Sequence, residues 1–263
     1  MRFRAPDGAV RIENADIFNL KHVSVEIPTG CLVSVTGPSG SGKSTLIFQV
    51  LAKGRTDAQQ NRVTGLEQFD RIVETDQSAL ARMKRSNVAT FSEVYTEIRN
   101  VFAGTEDAKK AGFSAKHFSF NTPGGRCENC GGMGYVENNM LFFANTEVVC
   151  PVCNGNRFDK GVLAVTYRGY SIKDILDMSV DEARHVFADH KKILRILALL
   201  QDVGLGYLQL GQSLTTLSGG EGQRLKLAKE LIENRGNNRC LYLMDEPTTG
   251  LHPRDIEHFL VLL

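Results

Sequence analysis

Chemistry concentrates first in Gly37-Pro38-Ser39-Gly40-Ser41-Gly42-Lys43-Ser44, which satisfies the GxxxxGK[ST] phosphate-loop pattern. The glycines let the backbone curl so that its N–H groups converge on a polyphosphate, and a helix beginning at Thr45 would add the positive end of its dipole. Lys43 would meet the β- and γ-phosphates, and the Ser44 hydroxyl would ligate Mg²⁺. A Gly/Ser-rich surface turn could show the same composition. It would not need the flanks seen here, an apolar β-branched run Cys31–Thr36 before the loop and helix-spaced apolar residues from Thr45 to Leu51 after it.

A second chemical signal is Cys127-Glu128-Asn129-Cys130, followed after nineteen residues by Cys150-Pro151-Val152-Cys153. Each CxxC turn sets two thiolates on one side of a tight knuckle, and two knuckles joined by a hairpin complete a tetrahedral four-sulfur zinc site. Four cysteine ligands leave no open coordination position, so the predicted zinc is structural. A redox reading would need a thioredoxin-like βαβ context, which is missing.

Further along, Leu217-Ser218-Gly219-Gly220-Glu221 has capping-box spacing, which places Ser218, Gly219 and Gly220 at a helix N-terminus where free N–H groups favour an anion. The helix carries Leu225, Ala228 and Ile232 on one side. Leu241–Met244 then reads as a buried strand ending in Asp245-Glu246-Pro247, two acids at the strand end where a Mg²⁺–phosphate site belongs.

The elements that position these residues follow from periodicity. The second half of Arg11–Pro28 alternates apolar and polar, and Pro28-Thr29-Gly30 predicts a hairpin that pairs this strand antiparallel with Cys31–Thr36. Lys53–Arg62 reads as a loop, and Arg71–Gln77 as a strand ending in a polar corner. Thr90 with Glu93 has capping-box spacing before Phe91, Val94, Tyr95, Ile98 and Phe102, which predicts one amphipathic helix with its aromatics in the core. A short strand is expected at Val162–Tyr167, a capped helix from Ser179, and a helix burying Ile193, Ile196, Leu197 and Leu200. Cys31 and Cys240 stand alone in apolar runs and are expected to be buried.

Composition bounds the function. The 263 residues are 42 % hydrophobic with formal charge +1, enough for a core but with no bulk field toward nucleic acid or membrane, so such binding needs local patches. No apolar run approaches the roughly 18 residues of a spanning helix, and the first residues lack a signal-type apolar core; a cytoplasmic location is expected.

Taken together, Gly37–Thr45, Asp76-Gln77-Ser78, Arg85-Ser86-Asn87, Phe118–Asn121, the four-cysteine module, Asp202–Tyr207, Thr216–Leu227 and Asp245–Leu251 resemble an ABC-type ATPase of the UvrA family, over nearly the whole chain. In bacteria that family recognises DNA damage for nucleotide excision repair. The resemblance implies an α/β fold: a P-loop ABC-type ATPase core with an inserted helical signature subdomain carrying a four-cysteine zinc hairpin. It implies ATP held by Gly37, Ser39, Gly40, Gly42, Lys43, Ser44, Thr45, Gln77 and Asp245, with Mg²⁺ on Ser44 and Asp245. Glu246 would be the catalytic base, and Ser218, Gly219 and Gly220 would close on the γ-phosphate held by a second ATPase unit. That unit is another copy or a second half. DNA contact falls to Arg82, Lys84, Arg85, Lys109, Lys110, Lys116 and Arg126, and UvrB is an implied partner.

The expected organisation is an ATP-binding domain in 1–78, an inserted signature subdomain in 79–214 with the zinc module at about 121–160, and the second part of the ATP-binding domain in 215–263. The family's switch histidine and later strand do not occur before Leu263, which predicts either a fragment or impaired hydrolysis. Ala79–Lys84 lacks the usual proline and glycines, and Gly222 stands where alanine is usual, at a cost of about 1 kcal/mol in a helix interior. A UvrA-like ATPase for drug resistance or another non-excision role is the alternative. A transporter ATPase subunit fits less well, because it leaves the cysteine module unexplained.

Overall fold

The computed structural model describes residues 5–55, 62–75, 85–138, 146–234 and 238–263. The strands are β1 (Gly8–Ala15), β2 (Val23–Thr29), β3 (Arg62–Thr64), β4 (Arg71–Thr75), β5 (Tyr135–Asn138), β6 (Thr146–Val149), β7 (Thr166–Tyr167), β8 (Tyr170–Ser171) and β9 (Cys240–Met244). The α-helices are α1 (Val88–Phe91), α2 (Val94–Ala103), α3 (Glu106–Lys110), α4 (Lys160–Leu163), α5 (Ile172–Asp177), α6 (Val180–Val186), α7 (Lys191–Asp202), α8 (Gly219–Glu233) and α9 (Pro253–Leu262). The chain divides into two compact units, one formed by 1–78 with 233–263, the other by 79–232.

In the first unit β1 is the centre of a three-stranded antiparallel sheet in the order β2-β1-β3. Its alternation sends Val10 and Ile12 inward to meet Val50, Leu51, Leu66, Phe69 and Leu243. A separate parallel pair, β4 with β9, runs in register from Arg71↔Cys240 to Thr75↔Met244, so both strands end at the same edge.

The expected hairpin differs from the structure. β2 pairs with β1, and among the described residues Cys31–Thr36 joins no ladder; Leu32, Val33 and Val35 are 57 %, 38 % and 42 % exposed. β-branched composition measures fitness for a pleated surface and does not name the partner strand. The turn after the phosphate loop, Thr45–Leu51, winds as a π-helix, with Val50 and Leu51 buried. Over seven residues, apolar spacing does not separate α from the wider π winding. Cys31 and Cys240 are half-buried rather than buried, and Asn234 Nδ2 lies 3.1 Å from Cys240 Sγ.

The second unit is helical. α6 packs on α7 and α7 on α2, with Ile193, Ile196, Leu197 and Leu200 turned inward from α7 as their spacing requires. Aromatic rings fill the centre: Phe102 lies 5.5 Å from Phe118, and Tyr167 stacks on Phe187 at 5.6 Å. The Tyr95 hydroxyl donates to Phe118 O at 2.7 Å, and burial raises its pKa above the usual phenol range.

Three local expectations in this unit need correction. The capping box is Asn87 with Thr90, not Thr90 with Glu93. Glu93 adopts φ 64 and splits the expected single helix into α1 and α2; Thr90 serves the helix before it, which spacing alone could not reveal. Within Val162–Tyr167, Asp159 caps the short helix α4, and only Thr166 and Tyr167 are strand. The second boundary between units falls after Ile232 rather than at 214, because Leu225, Leu227 and Ala228 of α8 are buried and Lys229 lies 4.9 Å over the Phe91 ring of α1.

The cysteine hairpin is keyed into this body by glycines. Gly132 has φ +82, and a Cβ there would stand 1.8 Å from Phe120 O, whereas Gly112 has φ +69 with nothing within 4 Å. Gly112→Ala should therefore cost about 1–2 kcal/mol, the left-handed penalty alone, and Gly132→Ala several kcal/mol, because backbone must move as well. Chemical denaturation of the two variants side by side checks this; equal midpoints would contradict the packing described.

Candidate nucleotide site and cysteine centre

Between Thr36 and Thr45 the backbone curls through Gly37, Gly40 and Gly42 at φ 154, 78 and 94. Lys43 reaches back over the loop, its Nζ donating to Gly37 O and Pro38 O at 2.9 Å each. The ammonium thus sits inside the curl on carbonyl groups that a phosphate could replace as its partners. Ser44 is helical, at φ −64 and ψ −33, with no hydrogen bond from its side chain to the helix end. Leu46 N donates to Gly42 O at 2.8 Å, so winding begins within the loop.

One residue of this site was not evident from sequence. Asn19 Nδ2 donates to Gly40 O, and a Cβ on Gly42 would stand 2.7 Å from Leu20 and 3.2 Å from Asn19. The segment after β1 therefore braces the loop from outside. Only the tertiary fold discloses a contact between residues this far apart in the chain.

Asp245 follows β9 directly, at the edge where β4 also ends, and Thr75 Oγ1 donates to Leu243 O at 3.3 Å to lock that end. Glu246 is exposed at φ 46, and its carbonyl accepts from Thr249 N at 3.0 Å, which turns the chain away from the strand. The structure gathers the phosphate loop, Asp245 and Glu246 in the first unit. Gln77 lies outside the described residues.

Ser218, Gly219 and Gly220 stand at the start of α8 in the second unit. Ser218 N donates to Glu221 Oε2 at 2.6 Å and Glu221 N to Ser218 Oγ at 3.3 Å, the reciprocal pattern of a capping box. Tyr207 donates its hydroxyl to the other Glu221 oxygen. Burial pushes the Glu221 carboxyl up, but the bonds from Tyr207 and Ser218 outweigh it and leave the group below its ordinary range. The Tyr207 hydroxyl is pushed up to about 12, by burial first and then by the same bond.

The cysteine centre is built by the β5–β6 hairpin. Its register, Tyr135↔Val149 to Asn138↔Thr146, brings Cys150 N to Gly134 O at 2.9 Å and so sets the second knuckle against the first. Cys127, Cys130, Cys150 and Cys153 are all buried, with sulfurs within 4.8 Å of one another. Two of the separations are 3.9 Å (Cys127–Cys150) and 3.7 Å (Cys130–Cys153). A tetrahedral zinc with Zn–S bonds of about 2.3 Å needs sulfurs about 3.8 Å apart, so the donor set fits that ion in both number and spacing.

Hydrogen bonding within the centre is uneven. The backbone N–H of Cys153 leads in holding the Cys150 thiol down to about 6, with Asn129 Nδ2 at 3.2 Å assisting, while burial pushes Cys127 up and Cys153 up to about 12. Such a cluster releases its remaining protons when a divalent cation enters.

The basic residues singled out in the sequence are not equivalent. Lys109 pairs with Glu106 at 2.9 Å; Arg126 pairs with Glu128 at 3.1 Å and donates to Asn121 O at 3.2 Å. Arg85, Lys110 and Lys116 are exposed. Arg82 and Lys84 lie outside the described residues.

Comparison with known proteins supplies the family. A family model described as "ABC transporter" matches residues 20–249. UvrABC system protein A of Aquifex aeolicus is 46 % identical over 270 residues, and that of Thermus thermophilus 48 % over 261, covering 99 % and 96 % of this chain. The match takes in only 29 % and 27 % of those relatives, so the chain spans less than a third of their length. The crystal structure of UvrA2 from Deinococcus radiodurans superposes with TM-score 0.87 at 46 % identity, over 98 % of this chain and 32 % of that one. With a phosphate loop, a signature turn and a cysteine centre in the places described, the chain belongs to the ABC ATPase family, as a unit homologous to one ATPase half of UvrA.

Proposed function

We propose that this chain is the ATP-binding, DNA-contacting ATPase unit of a UvrA-type protein acting in nucleotide excision repair. The observation that carries the proposal is the combination of the phosphate loop and Asp245 in one unit with the capped signature turn and the four-cysteine centre in the other. Lys43 gives up Gly37 O and Pro38 O to the β- and γ-phosphates of ATP, while Gly37, Ser39, Gly40, Gly42 and Thr45 present backbone N–H groups around them. Ser44 and Asp245 hold Mg²⁺. Glu246 orients and deprotonates the attacking water, and Gln77 senses the γ-phosphate.

The Ser218 hydroxyl and the N–H groups of Gly219 and Gly220 meet the γ-phosphate of a nucleotide held by a partner ATPase unit, either a second copy or a second half. Cys127, Cys130, Cys150 and Cys153 hold one structural zinc. DNA lies against the exposed cations of the second unit, and UvrB is the protein partner. Shape and bendability of the duplex, rather than base edges, are what such a surface reads. Among the described residues no helix is long and apolar enough to cross a membrane.

Restoration of ultraviolet tolerance in cells lacking UvrA, by the protein that contains this chain, tests the repair role. Failure together with retained ATP binding would favour the non-excision alternative. At the site itself, Lys43→Ala should abolish binding of a fluorescent ATP analogue, and an unchanged affinity would overturn the nucleotide assignment. Glu246→Gln should retain ATP and lose turnover, since it removes the base and leaves Asp245 for Mg²⁺; weakened binding would show the role to be wrong.

Elemental analysis should find one zinc per chain, bound with an apparent free energy on the order of 10 kcal/mol. Chelation should melt the β5–β6 hairpin and leave ATP binding nearly unchanged. Metal-free protein with four freely reactive thiols at those positions would refute the zinc centre.

A further inference from the structure

A cavity of about 350 Å³ opens in the second unit where the residues before α1, the first cysteine knuckle and the turn at 213–216 come together. Arg85, Asn87, Phe120, Arg157 and Thr216 line it, with Glu147 the acid in its wall. Asn87 is 1 % exposed, and its orientation is fixed, because Oδ1 accepts from Thr90 N at 2.9 Å in the α1 capping box. That arrangement commits Nδ2 to the opposite side, and among the described residues Nδ2 has no hydrogen-bond partner. A buried amide donor left in this way is complete only with an acceptor from outside the fold.

The charge nearby is of matching sign. Among the described residues neither Arg85 nor Arg157 lies within ion-pair distance of a carboxylate, in contrast to Arg126 and Lys109, whose charges Glu128 and Glu106 answer locally. The Arg157 guanidinium is held 5.6 Å over the Phe120 ring, which restricts its freedom without neutralising it. Two guanidinium groups and a stranded N–H donor around one cavity form a donor set for a tetrahedral oxyanion, which accepts from several planar forks at once.

We propose that this cavity binds one phosphate-type oxyanion, held by Arg85, Arg157 and Asn87 Nδ2. The site stands independently of the nucleotide reading, since every residue in it belongs to the second unit. It rests on the DNA reading only for the source of the anion, a backbone phosphodiester as opposed to free phosphate.

The test uses the full chain, zinc-loaded, in the Lys43→Ala background so that the phosphate loop does not contribute. Equilibrium dialysis with labelled inorganic phosphate, balanced with chloride, should find one phosphate per chain. Asn87→Asp keeps the capping oxygen and exchanges the donor for a repelling carboxylate; it should weaken phosphate by about tenfold or more, the scale of one charge-assisted hydrogen bond. Arg157→Met should do the same and Arg157→Lys should recover part of the loss. Arg85→Met, at an exposed position, supplies a variant whose folding is not at issue. Displacement of the label by a short duplex identifies the occupant as a backbone phosphodiester, and retention of the label identifies it as a free anion. Absence of phosphate binding, or binding unchanged in Arg85→Met and Arg157→Met, would overturn the site.

Discussion

The first unit depends on one long-range closure, the parallel ladder of β4 with β9. It joins Thr75 to Met244, and Thr75 Oγ1 reaches Leu243 O across 168 residues of chain. Closing so long a segment is unfavourable in entropy, although the penalty grows only slowly with length. The second unit shortens the free loop by folding the intervening residues into a body of their own. Leu243 then completes the core built on β1, and Asp245 emerges at the strand edge.

The phosphate loop illustrates how little of a binding site needs new structure when ligand arrives. Lys43 is already inside the curl, and Asn19 and Leu20 brace the loop at Gly40 and Gly42. The signature turn is comparably prepared, with Glu221 held by both Tyr207 and Ser218. Preorganised donors lose less freedom when an anion binds, so more of the interaction energy remains as affinity.

How far these features were legible in the sequence follows from whether they are local. The phosphate loop, the Ser179 and Ser218 caps, the apolar face of α7 and the two cysteine knuckles are fixed by residue types a few positions apart, and the structure has them in those places. Strand partnership was not local. The β-branched run at 31–36 showed a propensity, and no rule of composition says that β2 would choose β1 instead. The cap of α1 was missed for a related reason: Thr90 suits two helices, and only the left-handed Glu93 decides between them. Asn19 carries no pattern, and the motifs that contain Asn87 and Tyr207 do not disclose the contacts of Tyr207 with Glu221 or of Asn87 Nδ2, because these are set by the tertiary fold.

The same closure has a temporal side. β4 leaves the ribosome long before β9, and at ordinary elongation speeds the intervening segment takes roughly 10–30 s to make. The second unit has time to reach its own packed state in that interval, whereas Ile72 and Val73 wait beside an unfilled neighbour position. The first unit is thus the last part of this chain to be finished during synthesis, and its unpaired β4 edge is where a nascent chain would engage a chaperone or a wrong strand.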